Sequence, residues 1–94
     1  MKERIVIAKL KAWLEKRGCL VHKMHGTVYT PKGMPDLFGV IPGGRAIYVE
    51  AKAPGKTPNP NQTAFLDRLS SMNAVACWAD SVEMLESKIG HILV

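Results

Sequence analysis

The spacing of apolar residues along the chain divides it into seven predicted elements. Residues 2–17 carry apolar side chains at helical spacing, and Gly18 follows as a typical residue just beyond a helix end. Short apolar runs bounded by Gly and Pro indicate strands. This alternation predicts an α/β fold in which helices pack on a mixed β-sheet. The predicted order is helix–strand–strand–strand–helix–strand–helix, over residues 2–17, 19–24, 36–41, 46–52, 59–72, 74–79 and 80–89.

The C-terminal part of the chain allows three narrower predictions. Residues 74–79 are almost wholly apolar, which favours a strand buried on both faces, either central or next to parallel neighbours. Asp80 and Glu83 have the spacing of a capping box at the start of the last helix. The tail at residues 91–94 is mostly apolar, so we expect it to add a strand to the sheet edge or to enter a dimer contact.

The second and third strands are predicted to form a hairpin with ionisable groups at one edge. Residues 42–45, Pro-Gly-Gly-Arg, supply the glycines that a tight hairpin turn requires. Side chains alternate between the two faces of a strand, so Glu50 and Lys52 project from the same face of the third strand. Asp36 opens the second strand, and the hairpin returns it toward that pair.

Two carboxylates and one amine in this arrangement suit a divalent cation acting on phosphate. Mg²⁺ prefers oxygen ligands and needs only one or two carboxylates beside substrate oxygens. Lys52 can orient the attacking water or stabilise transition-state charge. Adjacent carboxylates oppose the lowered pKa that a general base would need. The simpler alternative is a solvated Glu–Lys pair on a half-exposed hairpin. Asp36 and the order of the elements favour a functional site.

The residues at this hairpin resemble a nuclease signature. Pro35-Asp36, thirteen intervening residues and Glu50-Ala51-Lys52 resemble the PD-(D/E)xK motif, and residues 33–37 (Gly-Met-Pro-Asp-Leu) are similar to the GxPDL form of VRR-NUC domains and archaeal Holliday junction resolvases. The resemblance implies a restriction-endonuclease-like core spanning residues 1–94 as a single domain. It also implies a metal-dependent DNA endonuclease, with Asp36, Glu50 and the Ala51 carbonyl binding Mg²⁺, or Mn²⁺ as a substitute.

Two flanking residues are further candidates for the catalytic site. Glu3 projects from the inward stripe of the first helix, whereas Glu15 lies on its polar side. An acid in a first helical turn is also favourable by itself, and the residues alone leave both readings open. The resemblance favours Glu3 as a catalytic and possible metal-proximal group. Gln62 fits the third position of a helix that begins after Asn59, as a capping residue, and the resemblance adds an assisting role at the site.

Candidate DNA contacts lie in the loops beside the hairpin. His25, Tyr29 and Lys32 precede Pro35-Asp36, and Lys56 lies in a Pro- and Gly-rich connection after the third strand. Each could contact DNA, although an ordinary exposed position is the alternative for each. Cys19, His22 and His25 have a spacing that invites a zinc site. Residues three apart on a strand face opposite sides, so we reject zinc.

Composition limits the class of protein. The chain has 94 residues, 47% of them hydrophobic, and 13 basic against 8 acidic residues give a formal charge of +5. This balance favours a polyanionic partner, and nucleic acid fits best. Two distant cysteines and no apolar run of transmembrane length predict reduced thiols in a soluble, cytoplasmic protein without a membrane partner. So small a core gains from association, so we expect a homodimer.

The preferred substrate is a four-way (Holliday) junction or another branched DNA. Stand-alone proteins of this kind resemble junction resolvases, and a two-fold dimer would place two sites for paired nicks. Two alternatives remain open. One is a phage or restriction-type nuclease that acts on linear or overhang DNA. The other is a DNA-binding module of the same fold that performs no chemistry.

Overall fold

A computed structural model describes residues 1–93, and the predicted order of elements is confirmed. The observed ends lie within one or two residues of the predicted ones for most elements. A short 3₁₀ turn, Gly90–Ile92, follows the last helix. The helices and strands are α1 (Glu3–Lys16), β1 (Leu20–Lys23), β2 (Leu37–Val40), β3 (Ala46–Ala51), α2 (Pro60–Ser71), β4 (Val75–Ala79) and α3 (Val82–Ile89).

The four strands form one mixed sheet in the order β1-β2-β3-β4. The pairs β1–β2 and β2–β3 are antiparallel, whereas β3 and β4 are parallel. β4 therefore has the parallel neighbour that its apolar composition predicts, but it lies at the edge of the sheet and not in its centre. Its composition is explained by the helices, because α2 and α3 both pack against it.

The core lies between one face of the sheet and the helices α1 and α3. The predicted apolar stripe of α1 is buried, with Leu10 and Leu14 fully inaccessible to solvent. It meets the side chains of the sheet that alternate onto the same face. Leu85 and Ile89 of α3 complete the cluster. The sheet contributes Val21, Leu37, Ile47, Val49, Ala51 and Val75.

The turn between β2 and β3 forms as predicted. The Ile41 amide donates to the Arg45 carbonyl at 2.9 Å, and the Gly44 amide donates to the Ile41 carbonyl at 3.0 Å. Gly43 and Gly44 have φ angles of 99° and 97°, which favour glycine because a Cβ is strained there. The turn sets the register of the hairpin, pairing Leu37 with Val49.

β1 approaches β2 so closely that only glycine fits at one position. A Cβ on Gly39 would lie 1.8 Å from the Leu20 carbonyl oxygen, well inside van der Waals contact. This contact lets β1 pair along the outer edge of the hairpin. Just beyond β1, the Met24 amide donates to the Asp36 carbonyl at 2.6 Å, so the end of β1 is joined to the start of β2.

One C-terminal prediction is wrong, and for the tail the alternative of an added strand is not observed, whereas that of a dimer contact stays a prediction. Ser81, not Asp80, caps α3, because the Ser81 hydroxyl accepts from the Met84 amide at 3.1 Å. Asp80 instead accepts from the Gly55 amide at 3.2 Å and holds the connection after β3. The tail adds no strand within the described residues: it forms the 3₁₀ turn, and Leu93 packs partly buried against the core. The last residue of the predicted tail, Val94, lies outside the described residues.

None of the helices in residues 1–93 is both long enough and apolar enough to cross a membrane.

Candidate active site

The β2–β3 hairpin places two carboxylates next to each other. Leu37, the first residue of β2, pairs with Val49. Asp36, the residue just before β2, therefore faces Glu50 of β3. The Asp36 amide donates to Glu50 Oε1 at 3.2 Å. In return, the Ala51 amide donates to Asp36 Oδ2 at 2.9 Å. These two hydrogen bonds between backbone and side chain hold both carboxylates at the open end of the hairpin.

Glu50 is buried, with 3% of its surface exposed, and both of its oxygens have partners. Lys52 Nζ lies 3.4 Å from Glu50 Oε2, and the Lys52 side chain is itself only 15% exposed. The alternative reading, a solvated Glu50–Lys52 pair on a half-exposed hairpin, does not fit this burial. Glu50 is buried because α2 packs over this part of the sheet, a contact between segments distant in sequence.

Gln62 connects α2 to the site and also caps the helix. Its Oε1 accepts from the Asn59 amide at 2.9 Å, which completes a capping box with the Asn59 side chain. Its Nε2 then donates to Glu50 Oε2 at 2.5 Å. The capping bond turns the Gln62 amide so that its N–H group faces the carboxylate. The predicted capping role of Gln62 is confirmed, and the same side-chain orientation brings its amide into contact with Glu50.

Gly33 allows the loop before Asp36 to dock on the first turn of α2. A Cβ at this position would lie 2.5 Å from the Asn61 carbonyl oxygen and 3.1 Å from the Gln62 nitrogen. Its φ of 83° is also unfavourable for other residues. This contact between distant segments was not predicted. The glycine at the start of Gly-Met-Pro-Asp-Leu could have indicated it, because a residue without a side chain allows the loop and α2 to approach closely.

The electrostatics of the site centre on Glu50. The pKa of Glu50 is raised to about 8, chiefly by burial, which disfavours the charged form, and also by the charge and hydrogen bond of Asp36. Lys52 opposes this shift with its charge and hydrogen bond. The single ammonium group of Lys52 does not neutralise Asp36 and Glu50 when both are ionised. In that state a further positive charge between the two carboxylates would stabilise the site.

The donor set of the site fits a hard divalent cation. An ionised carboxylate has about four lone-pair sites, and Glu50 uses only some of them in its three contacts. Asp36 Oδ1 stands outside the hydrogen bond that Oδ2 accepts. Within residues 1–93, no group of three His, Cys, Asp or Glu side chains could hold a metal. An ion here would therefore depend on two carboxylates, a backbone carbonyl and oxygens of water or phosphate, as Mg²⁺ does.

The structure does not bring the remaining candidate, Glu3, into this network. Glu3 is exposed at the first residue of α1, and no hydrogen bond or ion pair in the described part of the chain joins it to the hairpin. Helical spacing predicted which side of α1 carries Glu3. It could not predict whether the sheet extends beneath the first turn of the helix. The position of Glu3 is consistent with the alternative reading, an acid that is favourable in a first helical turn.

The candidate DNA contacts surround the site on exposed loops. His25, Lys32 and Lys56 are all exposed, and Tyr29 is 92% exposed. Tyr29 and its neighbour Val28 stand at the tip of a turn that Thr27 and Thr30 close with hydrogen bonds. The base of this turn and Asp36 line a common cleft of about 200 Å³. Of the three residues considered for a zinc site, Cys19 is buried, whereas His22 and His25 are exposed.

Both cysteines are free thiols. Burial raises the pKa of Cys77 to about 11, and burial also raises the pKa of Cys19. Both therefore stay protonated near neutral pH, in keeping with a packing role.

Comparison with known proteins identifies related chains. The VRR-NUC domain family matches residues 29–83, which include the hairpin and Gln62. The chain is 35% identical over 69 residues to the protein named "Putative nuclease p44" from Acyrthosiphon pisum secondary endosymbiont phage 1, covering 68% of this chain and 74% of that protein. A solved structure described as a VRR_NUC domain superposes with a TM-score of 0.78 and 28% identity, over 97% of both chains.

Proposed function

Because the chain belongs to the VRR-NUC family of nuclease domains, we propose that it is a metal-dependent DNA endonuclease that hydrolyses phosphodiester bonds. The observation that carries this proposal is the meeting of Asp36, Glu50, Lys52 and Gln62 at one end of the β2–β3 hairpin. Four polar side chains from three segments, one of them buried at 3% exposure, form a connected network. A solvated surface pair would not need this arrangement.

In this proposal Asp36, Glu50 and the Ala51 carbonyl hold Mg²⁺, with Mn²⁺ as a substitute. The ion supplies a water of lowered pKa and neutralises charge that develops on the phosphate oxygens. The backbone amides of Asp36 and Ala51 hold the two carboxylates in place before any ligand arrives. This prior order reduces the reorganisation that binding requires.

Lys52 orients the attacking water and stabilises negative charge in the transition state. Its ammonium is held 3.4 Å from Glu50 Oε2 and is largely shielded from solvent. In this role it acts as a compact cation beside the carboxylates and not as a general base. The products of in-line hydrolysis would be a 5′-phosphate and a 3′-hydroxyl, as the family resemblance implies.

Gln62 positions the site from α2, and Glu3 assists only at a distance. Gln62 holds Glu50 Oε2 from the side opposite to the backbone contact at Oε1. It thereby limits rotation of the Glu50 carboxylate. Glu3 would act through a bound water or a metal, and the family resemblance is its only support.

DNA would lie across the loops that border the hairpin, with His25, Tyr29, Lys32 and Lys56 as contacts. Val28 and Tyr29, both 92% exposed, offer apolar and aromatic surface beside the cleft that Asp36 lines. Aromatic side chains stack on unpaired bases, which occur in flaps and other branched DNA with single-stranded segments. The proposed substrate is a four-way junction or another branched DNA, cut by a homodimer inside the cell; the family resemblance is the support for the four-way junction.

A second candidate substrate is linear DNA. The phage relative "Putative nuclease p44" favours it, because a phage-type nuclease can act on linear duplexes or overhangs. The same catalytic residues would serve both reactions. A non-catalytic module is less well supported, since such a module would need none of the buried contacts among Asp36, Glu50 and Lys52.

Cleavage of matched DNA substrates tests the proposal. A four-way junction, a flap and a linear duplex of the same sequence would be incubated with and without Mg²⁺. We expect Mg²⁺-dependent nicking, strongest on the junction or the flap. Preference for the linear duplex would establish the second candidate, and cleavage that persists in excess chelator would remove the metal mechanism.

A further inference from the structure

Positive charge is concentrated in the first third of the chain. Residues 1–33 hold eight of the 13 basic residues and two of the eight acidic ones, a net charge of +6. Residues 34–94, which include the site, hold five basic and six acidic residues, a net charge of −1. The net positive charge of the protein therefore comes from α1, β1 and the loop after β1. The part of the chain that includes the catalytic hairpin adds no net positive charge.

The fold gathers much of this charge along one groove. The groove runs between the outer face of α1 and the edge strand β1, and it encloses about 1130 Å³. Its other lining is small or apolar, including Ala8 and Ala12, and no acidic residue lines it. Small side chains on this face would let a bulky ligand approach the helix closely. The basic and imidazole side chains in the groove are Arg4, Lys9, Lys11, His22, Lys23 and His25.

The charges of the groove are largely unneutralised. Lys11 pairs with Glu15 at 3.5 Å, but no ion pair within residues 1–93 engages Lys9 or Lys23. Both of these lysines are exposed. Lys9 also lines a neighbouring pocket with Asp80 and Glu83, whereas no acidic residue lines the groove itself. Exposed cations along a groove without acidic lining are complementary to a polyanion. An anionic membrane is a poor fit, because the apolar stripe of α1 that would enter lipid is buried in the core.

The groove also leads directly to the site. Lys23 and His25 lie at the end of β1, and Met24 between them is hydrogen-bonded to the Asp36 carbonyl. The residues of α1 that line the groove run from Arg4 to Ala12, so the groove beside the helix is about 13 Å long. That length matches about four base pairs of duplex, at about 3.4 Å for each.

We propose that this groove binds the sugar–phosphate backbone of the duplex arm next to the cleaved bond. The proposal rests on the proposed nuclease function, to which it adds a place for the substrate arm. Residues 34–94, which include the catalytic hairpin, have a net charge of −1 and so contribute little attraction for DNA in the absence of an ion. The groove supplies the attraction instead, and it aligns the arm so that a strand passes Asp36.

Binding measurements on arms of different length test this proposal. Junctions with hairpin-capped arms of about 12 or about 2 base pairs would be titrated in excess chelator, which prevents cleavage, at several salt concentrations. Lys9→Gln/Lys23→Gln removes two groove charges. Lys16→Gln/Arg68→Gln removes two exposed charges that do not line the groove and serves as the matched control.

With long arms, we expect the groove variant to bind about tenfold more weakly than wild type, and its slope of log affinity against log salt to fall by about 1.8. With arms too short to fill the groove, it should bind within about twofold of wild type. The control should change long-arm affinity by less than about threefold. Circular dichroism would establish that both variants are folded.

Equal losses in the two variants, or a loss that is the same on long and short arms, would overturn the proposal. A change of oligomeric state in the groove variant alone would assign the groove to a second copy of the chain and would also overturn it. Failure of the nuclease function gives a different result: wild type would bind long arms through the groove but cleave nothing on adding Mg²⁺.

Discussion

The basic N-terminal third and the catalytic hairpin differ in the burial and pairing of their charged side chains. Lys23 in the groove is exposed and has no ion-pair partner among the described residues, whereas Lys52 is 15% exposed and paired with Glu50. Glu3 is exposed, whereas Glu50 is buried and held by three contacts. Exposed charges contribute to affinity in small, similar steps that salt screens. Buried, hydrogen-bonded charges act as a unit, so losing one should affect chemistry far more than binding.

The largest expected effect is the loss of cleavage in Asp36→Asn. The variant keeps an oxygen that can accept from the Ala51 amide but loses the negative charge proposed to hold the ion. Cleavage should fall by on the order of 10³-fold, about 4 kcal/mol of transition-state stabilisation. DNA affinity in chelator should stay within about twofold of wild type. A parallel fall in affinity would mean that the hairpin, and not the basic third, dominates binding.

Lys52→Ala should have the next largest effect on cleavage, on the order of 10²-fold. Lys52→Arg should not restore the rate, because the planar guanidinium cannot take the position of a compact ammonium beside Glu50. Single-turnover rates and binding constants would be measured on the same junction. If Lys52→Ala weakened binding as much as it slowed cleavage, the residue would be a phosphate contact and the distinction between the two regions would fail.

The buried carboxylate should make the metal-free protein less stable at higher pH. The pKa of Glu50 is raised from 4.5 to about 8 in the folded protein. The folded state therefore binds a proton more tightly than the unfolded state, and the free energy of unfolding falls as pH rises between these values. The Glu50 contribution should be on the order of a few kcal/mol, and Glu50→Gln should remove it. Urea unfolding from pH 4.5 to 8.5 in chelator measures this contribution; equal pH dependence in the variant would contradict it.

Gln62→Ala should have the smallest effect on cleavage of these three variants, Asp36→Asn, Lys52→Ala and Gln62→Ala, about tenfold, because it removes one hydrogen bond to a charged group. The variant also loses half of the capping box, at a cost of about 1 kcal/mol in the free energy of unfolding. Asn59→Ala is the matched control, since it removes the other half of the box without touching Glu50. Similar losses of activity in both variants would reduce Gln62 to a helix cap.

The local part of this structure could be predicted from the sequence. The order of elements follows from apolar spacing, and the register of the hairpin follows from its turn glycines, which place Asp36 opposite Glu50. Gln62 could be placed because a capping box has a fixed spacing. Each of these features depends on residues close together in sequence.

Features that depend on contacts between distant segments could not be predicted. The apolar composition of β4 reflects helices on both faces and carries no information on whether a strand is central. Asp80 and Ser81 can both cap a helix, and the bond from Gly55 to Asp80 separates their roles. The burial of Glu50 depends on α2. The groove requires α1 and β1 to be placed side by side.

Titration calorimetry of Mn²⁺ into the metal-free protein tests most directly whether Asp36 and Glu50 hold a divalent ion. We expect saturable binding in wild type that is lost in both Asp36→Asn and Glu50→Gln, with the groove variant Lys9→Gln/Lys23→Gln unchanged. Absence of binding in wild type, or undiminished binding in the two hairpin variants, would contradict it.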